Sequence, residues 1–366
     1  MVFAAWLALV LHDQYQIAWL GDYGVAADAL FLAGVAGVAL TRSVERRGRA
    51  RVAAAALRAA FSLGVIIGAL ILAEFTTRFV FRHATSSGNA GDYIARRGGG
   101  PTVVINSLGF REREVGPKVP GRYRIAIVGD SFTWGQGVQV RDRFSDLLEG
   151  FLGARYEVLN FGHPGNNLPE HLNALDLVLT LHPDFVLLQL YINDFETANM
   201  QRPKTHPLLP SDLDSRLGRS SLLYQLLLGR WTQLQEATGL SESYPGYLAR
   251  YLRDPHLPDA QEGSGMLRQF LDRAAAAGVS SGVVFFPAPD AMGSKPSDYP
   301  FGYLHDRARA ICGEAHVPYL DLFAAFSTFQ PPQRMWVSPF DAHPNEKANR
   351  RAAFEILRQF GPAWHQ

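Results

Sequence analysis

The chain has 366 residues, which is enough for about two domains, and its 35 basic and 34 acidic side chains leave a net charge of +1. This balance provides no global charge that would argue for an acidic partner, and no nucleic-acid partner is expected. The single cysteine, Cys312, excludes an intramolecular disulfide but leaves the cellular compartment open.

Residues 1–83 are apolar and predict a membrane region with two or three transmembrane helices. The clearest span runs from Val52 to about Phe75, long enough to cross a hydrocarbon core of roughly 30 Å. A second span is expected at Tyr23–Leu40, although Asp28 interrupts it. The stretch Val2–Leu20 is a third span, an interfacial helix or the remnant of a longer start. A cleaved signal peptide fits less well, because the strongest apolar run lies too far from the first residue.

The short loop between the two better spans, Arg42–Arg51, contains five arginines. Loops of this kind stay on the cytoplasmic side, so the span that follows leads outward. We therefore expect a protein of the cytoplasmic membrane in which everything beyond about Phe81 lies outside the cytoplasm, in the periplasm. The alternative is a basic loop that only solvates the helix ends.

Residues 84–121 are predicted to form a linker followed by a lead-in segment, Asn106–Arg111, that packs against a globular domain of residues 122–366. In this domain short apolar segments alternate with helical ones. The predicted strands are Tyr123–Val128, Tyr156–Phe161, Phe185–Tyr191, Gly282–Phe286 and Val317–Leu320. The predicted helices are Phe144–Leu152, Leu168–Leu181, Met266–Ala277, Tyr303–Ala315 and Glu346–Phe360. This alternation indicates an α/β domain whose mostly parallel sheet is covered by helices on both faces.

One region, Ala198 to about Gly263, contains no good strand and is predicted to be a helical insertion after the third strand. Such an insertion can cap the carboxyl end of the sheet and shape a substrate site. The equally open alternative is a group of surface helices that only pack or face the membrane.

Ser131 follows the first predicted strand, at the carboxyl edge where open α/β sheets place their ligands. Gly129, just before it, allows the backbone to turn sharply as the strand ends. A serine in this place can act as a nucleophile only with a base, an orienting group and donors for the oxyanion.

Among eleven histidines, His343 is the best candidate for the base, because Asp341 lies two residues before it. A nearby aspartate can fix the orientation of the imidazole and stabilise its charged form. The other interpretation is a turn before the last helix, in which Asp341 caps rather than orients.

Two candidate oxyanion donors follow the next two strands. Gly165 could present its backbone N–H, and Asn193 could donate from its side-chain amide. Each is also compatible with ordinary turn chemistry. Together with Ser131 they occupy three successive strand ends, and this coincidence favours the catalytic interpretation.

The segments around Ser131, Gly165, Asn193 and His343 resemble, in order, the four blocks of the SGNH (GDSL) hydrolase superfamily. The resemblance covers roughly residues 122–360 and implies a three-layer α/β/α, flavodoxin-like domain with a five-stranded parallel sheet, preceded here by transmembrane helices. It implies Ser131 as nucleophile, His343 as base and Asp341 as orienting acid. It also implies an oxyanion hole made by the N–H groups of Ser131 and Gly165 and by the Asn193 amide.

The chain departs from the family pattern at two places. Tyr191 stands where a glycine usually precedes the asparagine by two residues, so it could narrow the acyl pocket or shift Asn193. The gap between Asp341 and His343 is two residues instead of three, a shorter form that resembles membrane-associated relatives acting on acetyl groups of bacterial exopolysaccharide. Tyr191, Asp130 and Trp134 are assigned to the substrate pocket.

No G-x-S-x-G elbow, H-E-x-x-H motif or paired-cysteine spacing occurs, so neither an α/β-hydrolase elbow nor a metal or cofactor is expected. The leading prediction is a membrane-anchored serine esterase that hydrolyses acyl esters, such as acetyl esters, of a small molecule or glycan. An O-acyltransferase that modifies a cell-envelope or extracellular polysaccharide would use identical residues. The other alternative is a non-catalytic protein for glycan binding or assembly.

A reporter enzyme fused after Gln366 is expected to be active outside the cytoplasm, because the arginine bias holds Arg42–Arg51 inside. One reporter that works only in the periplasm and one that works only in the cytoplasm, assayed in intact cells, provide the measurement. Activity of the cytoplasmic reporter alone would contradict the orientation.

Overall fold

The computed structural model describes residues 50–80, 104–204, 206–293, 295–338 and 341–364. These residues form two compact units. One unit contains helix α1 (Ala50–Val80) together with Arg216–Leu227, and the other contains the remaining described residues.

Within the described ranges, α1 is the helix with the length and apolar composition needed to cross a membrane, over the 21 residues Leu57–Thr77. This stretch overlaps the predicted span Val52–Phe75. Its large apolar side chains are exposed, with Ile66, Ile71 and Phe75 at 57%, 64% and 67%. The two other predicted spans, the arginine-rich loop as far as residue 49 and the linker as far as residue 103 lie outside the described residues.

The second unit is built on a five-stranded parallel sheet, as predicted. Its strands are β1 (Tyr123–Gly129), β2 (Tyr156–Gly162), β3 (Phe185–Leu190), β4 (Ser280–Phe285) and β5 (Tyr319–Asp321), followed by a two-stranded antiparallel ribbon of β6 (Trp336–Ser338) and β7 (Asp341–Pro344). The order in the sheet is β2-β1-β3-β4-β5. The chain therefore leaves β1 on one side to form β2 and returns on the other side to form β3. This reversal makes the crevice at the carboxyl ends of β1 and β3 the place where such sheets bind ligands.

Helices cover both faces of the sheet, which confirms the three-layer α/β/α architecture. The other described helices are α2 (Ser131–Trp134), α3 (Phe144–Leu152), α4 (Leu168–Leu179), α5 (Ser211–Ser220), α6 (Leu222–Ala237), α7 (Tyr244–Leu252), α8 (Pro258–Ala276), α9 (Gly302–Glu314), α10 (Phe323–Phe326) and α11 (Glu346–Trp364). Ile125 and Ile127 of β1 belong to a core with α3 and α11, whereas Ala126 and Val128 belong to a core with α4, α8 and α9. This two-residue alternation is what a strand buried on both faces requires.

Two elements differ from the prediction. Helix α8 begins at Pro258 instead of Met266, so the predicted end of the insertion falls inside this helix. Proline suits the first turn of a helix, and the glycines that follow it weaken the apolar periodicity on which the prediction depended. The ribbon of β6 and β7 was not predicted, because strands of three or four residues carry too little pattern.

Gly162 at the end of β2 lies against the backbone of α2. A Cβ atom there would be 2.3 Å from the Trp134 nitrogen and 2.7 Å from the Thr133 carbonyl carbon. We expect Gly162→Ala to lower the free energy of unfolding by about 1–3 kcal/mol and to lower turnover, because α2 must move away. Thermal unfolding of the full-length chain and an ester assay measure both effects.

Gly150→Ala is the matched control, because Gly150 lies in α3 with no atom within 4 Å of the added methyl group. Replacing a helical glycine by alanine stabilises by up to about 1 kcal/mol, so this variant is expected to unfold at a higher temperature. Equal stability of Gly162→Ala and wild type would contradict the close approach.

Candidate active site

Ser131 is the first residue of α2 and directly follows the carboxyl end of β1. Asp130 caps this short helix, because its carboxylate accepts a hydrogen bond from the Phe132 N–H at 2.8 Å. The side-chain oxygen of Gln189 on β3 also accepts hydrogen bonds from the Asp130 N–H and the Thr133 hydroxyl, at 3.1 and 2.8 Å. Ser131 is therefore presented on a backbone that is tied to the centre of the sheet.

His343 approaches Ser131 from the distant C-terminal part of the chain. Its Nε2 lies 2.8 Å from Ser131 Oγ, and its Nδ1 is hydrogen-bonded to Asp341 Oδ1. The same carboxylate oxygen accepts the backbone N–H of His343 at 3.1 Å. The three side chains thus form one continuous chain of hydrogen bonds.

The two-residue gap between Asp341 and His343 follows from the element that carries them. Both lie on β7, where successive side chains point to opposite faces, so residues two apart share a face. Pairing of β7 with β6 keeps this strand extended.

The electrostatics of the pair suit a base and its orienting acid. Burial alone raises the pKa of Asp341, but its hydrogen bonds with His343 and the charge of that imidazole outweigh burial and lower it. For His343, burial lowers the pKa, whereas the hydrogen bond and charge of Asp341 raise it above the ordinary value of histidine. The negative charge of Asp130 adds to this increase.

The two predicted oxyanion donors lie at the carboxyl ends of the strands beside β1. Gly165 follows β2, is exposed and has a φ of +81°, a left-handed conformation that favours glycine. Asn193 lies in a 3₁₀ turn, Ile192–Phe195, that follows β3. Within the described residues its Oδ1 is buried without a hydrogen-bond partner, so this oxygen takes no part in closing the turn.

The structure separates the three residues that were assigned to the pocket. The Tyr191 ring stacks on Phe132 with 4.5 Å between centroids, and the Phe132 ring lies 5.1 Å from that of His343. Trp134 is 7% exposed. Asp130 is 1% exposed and its carboxylate caps α2, so it supports the turn of Ser131, and its assignment to the pocket stays a prediction.

A fully buried, hydrogen-bonded pair of an aspartate and a histidine lies at the Asn193 turn. Asp194 accepts the Tyr191 N–H at 2.7 Å and holds His171 Nε2 at 3.0 Å with its other oxygen. Although burial lowers the pKa of His171, the charge and hydrogen bond of Asp194 raise it above the ordinary value. The bonds of the Asp194 carboxylate to the Tyr191 N–H and to His171 therefore fix the turn that carries Asn193.

The charge of Asp194 also acts on Asp130. Burial, together with this charge, raises the pKa of Asp130 to about 7.

Two side chains of this region were not found from the sequence. His171 lies on the buried face of α4, and a polar residue on an otherwise apolar stripe was the available signal. Gln136 donates from Nε2 to Asp341 Oδ2 at 3.4 Å. No local signal marks Gln136, because its partner is 205 positions away in the chain.

Within the ranges that the structure describes, no group of three or more His, Cys, Asp and Glu side chains is arranged to hold a metal ion. The acidic and imidazole groups at this edge of the sheet face one another in pairs instead. Asp341 is paired with His343, and Asp194 with His171.

Comparison with known proteins identifies the family. Residues 127–351, well over half of the chain, match the model of the GDSL-like lipase/acylhydrolase family. No curated protein matches the chain.

Several solved structures are similar at low identity. The structure titled TesA is 14% identical with a TM-score of 0.41, covering 65% of this chain and 98% of its own. A catalytic mutant of Axe2, an acetylxylan esterase from Geobacillus stearothermophilus, is 15% identical with a TM-score of 0.42, covering 68% and 98%. The acetyl xylan esterase AlAXEase is 17% identical with a TM-score of 0.40, covering 64% and 98%. The assignment rests on the family match: the chain belongs to the GDSL-like lipase/acylhydrolase family of SGNH hydrolases, and it is a hydrolase that acts on ester bonds.

Proposed function

We propose that this hydrolase is a membrane-anchored serine esterase in which Ser131, His343 and Asp341 form the catalytic triad. The observation that carries the proposal is the 2.8 Å contact between Ser131 Oγ and His343 Nε2, with Nδ1 of the same ring bonded to Asp341. A serine, a base within hydrogen-bond reach and an acid behind the base are the arrangement that nucleophilic acyl transfer needs.

The reaction has two halves. Ser131 Oγ attacks the ester carbonyl while His343 Nε2 accepts its proton, and the resulting imidazolium then protonates the departing alcohol. A water molecule next gives a proton to His343 and attacks the acyl-enzyme, and the imidazolium returns that proton to Ser131 as the acid leaves. Asp341 stays ionised throughout and stabilises the imidazolium in both halves.

The N–H groups of Ser131 and Gly165 and the amide of Asn193 are proposed to stabilise the oxyanion. Their support is positional, since all three follow the carboxyl ends of β1, β2 and β3. Such donors lower the barrier because they are held in place before the charge develops.

The aromatic wall of the site favours small acyl groups. Tyr191 stands where a glycine would leave space, and its ring stacks on Phe132, whose own ring lies 5.1 Å from that of His343. We therefore propose short acyl esters, such as acetyl esters, of a small molecule or glycan as substrates.

The proposed location is the outer face of the cytoplasmic membrane. A membrane region of residues 1–83 would anchor the enzyme in the lipid bilayer, residues 84–121 would lead away from it, and residues 122–366 would act in the periplasm without a nucleic-acid partner. The apolar stretch Leu57–Thr77 supports the anchor, and the preceding arginines support the orientation.

Ser131→Ala and His343→Ala are each expected to lower kcat by about 10⁴-fold or more, because members of a triad act as a unit. A fluorophosphonate should label the wild type covalently and leave Ser131→Ala unlabelled. Ser297→Ala, which removes an exposed hydroxyl, is the control and should keep both activity and labelling. Full activity of Ser131→Ala on every ester tested would refute the assignment of the nucleophile.

Asp341→Asn is expected to lower the pKa of His343, because the charge that holds this pKa above its ordinary value is removed. Turnover should fall by roughly 10²–10⁴-fold, since the imidazolium loses its counter-charge. Titration of the ¹⁵N-labelled His343 ring by NMR in the full-length chain measures the pKa. An unchanged pKa would show that Asp341 does not orient the base.

A further inference from the structure

The carboxylate of Asp341 is held at both of its oxygens. Oδ1 accepts hydrogen bonds from the backbone N–H and from the ring Nδ1 of His343. Oδ2 lies 3.4 Å from the amide Nε2 of Gln136. Gln136 belongs to the loop that leaves α2, five positions after Ser131. The segment that carries the nucleophile therefore also contacts the acid of the triad.

This loop is held by one buried side chain from the lead-in segment. The guanidinium of Arg111, a residue that is 2% exposed, donates to the carbonyl oxygens of Trp134, Gly135 and Val138 at 3.1, 2.8 and 2.8 Å. These carbonyls flank Gln136 on both sides. A planar guanidinium can reach three acceptors at once, whereas the single ammonium group of lysine cannot reproduce that fork.

The lead-in segment fixes Arg111 in turn. The Phe110 ring packs edge-on against Phe161 of β2 at 5.1 Å, and Asn106 Oδ1 accepts the Phe110 N–H at 3.0 Å. The carbonyl of Arg111 accepts a hydrogen bond from Arg143, which is fully buried and paired with Asp146 at 2.7 Å. The position of the guanidinium is thus determined by packing and by a second buried arginine.

We propose that Arg111 is a positioning residue for the esterase reaction, and that it acts by holding the Gln136 amide against the Asp341 carboxylate. The proposal rests on the triad proposed above. It makes the lead-in segment a part of the active-site framework, although this segment precedes β1 in the chain.

The expected effect follows from the charge that develops on His343. Without the Gln136 amide, the Asp341 carboxylate can rotate towards water, and its alignment with Nδ1 weakens. The imidazolium exists only during reaction, so kcat should fall while KM stays unchanged. At 3.4 Å this hydrogen bond is long, so its removal should lower kcat by about threefold to tenfold.

The first test compares Gln136→Ala and Gln136→Glu in the full-length chain. Gln136→Ala should lower kcat by this factor at every pH. The carboxyl group that Gln136→Glu introduces can donate to Asp341 while it is protonated, as the amide does, but its ionised form repels the Asp341 carboxylate. The ratio of kcat for Gln136→Glu to that of wild type should therefore fall as pH rises. Wild-type kcat in both variants, or a change in KM alone, would overturn the proposal.

The second test asks whether Arg111 acts through Gln136 on the Asp341 carboxylate. Arg111→Lys keeps the charge but loses the fork, so its kcat per enzyme titrated with fluorophosphonate should fall about as far as that of Gln136→Ala. The double variant should lose no more than Gln136→Ala alone, because both changes act through one carboxylate. Losses that multiply in the double variant would show that Arg111 acts elsewhere and would overturn the proposal.

Arg113→Lys is the matched control, since Arg113 follows the lead-in segment by two positions, has a side chain that is 43% exposed and pairs with Glu149 at 2.8 Å. Its kcat should equal that of wild type. If Ser131→Ala is inactive while the Arg111 and Gln136 variants match wild type, the triad stands and the positioning role fails. If Ser131→Ala is active, the proposed function itself fails.

Discussion

The hydrogen bond between Ser131 and His343 joins residues that are 212 positions apart, and the remaining structure maintains this contact. It requires the end of β1 and the strand β7 to meet at one edge of the sheet. Packing of α3 against α11 in the core below brings these two parts of the chain together. The Phe144 N–H donates to the Asn349 side chain at 3.0 Å, so the two helices are also joined by a buried hydrogen bond.

Buried polar groups around the site form hydrogen bonds that hold these two parts of the chain in a defined position. The Asn160 amide on β2 donates to the Thr133 carbonyl at 2.6 Å, and Glu112 accepts the Asn160 N–H at 2.9 Å. Such groups are costly to bury without a partner, so the hydrogen bonds that they form here resist displacement. The same reasoning applies to Arg111, whose three carbonyl partners all lie on one loop.

The candidate catalytic groups therefore depend on three separate supports. Gln189 and Asp130 hold the turn of Ser131, the pair of His171 and Asp194 holds the turn of Asn193, and the ribbon holds Asp341. Each of these three supports acts through hydrogen bonds to a backbone group or to a carboxylate. The geometry of the site is therefore set by hydrogen bonds from residues outside it. For this reason a site of few residues depends on the folding of the whole domain.

The amino-acid sequence by itself determined what depends on local pattern and residue type. Apolar, β-branched segments such as Tyr123–Val128 predicted the five strands. Their alternation with helices predicted the parallel sheet, because strands that are apolar on both faces need helices on both sides to cover them. Ser131 and His343 were predicted as catalytic residues for a similar reason, since short motifs carry chemistry without reference to distant residues. Only the tertiary structure decided the partners of Gln136 and Arg111. Their hydrogen bonds join segments that no periodicity connects, and a polar side chain shows nothing of its partner until the fold brings the two together.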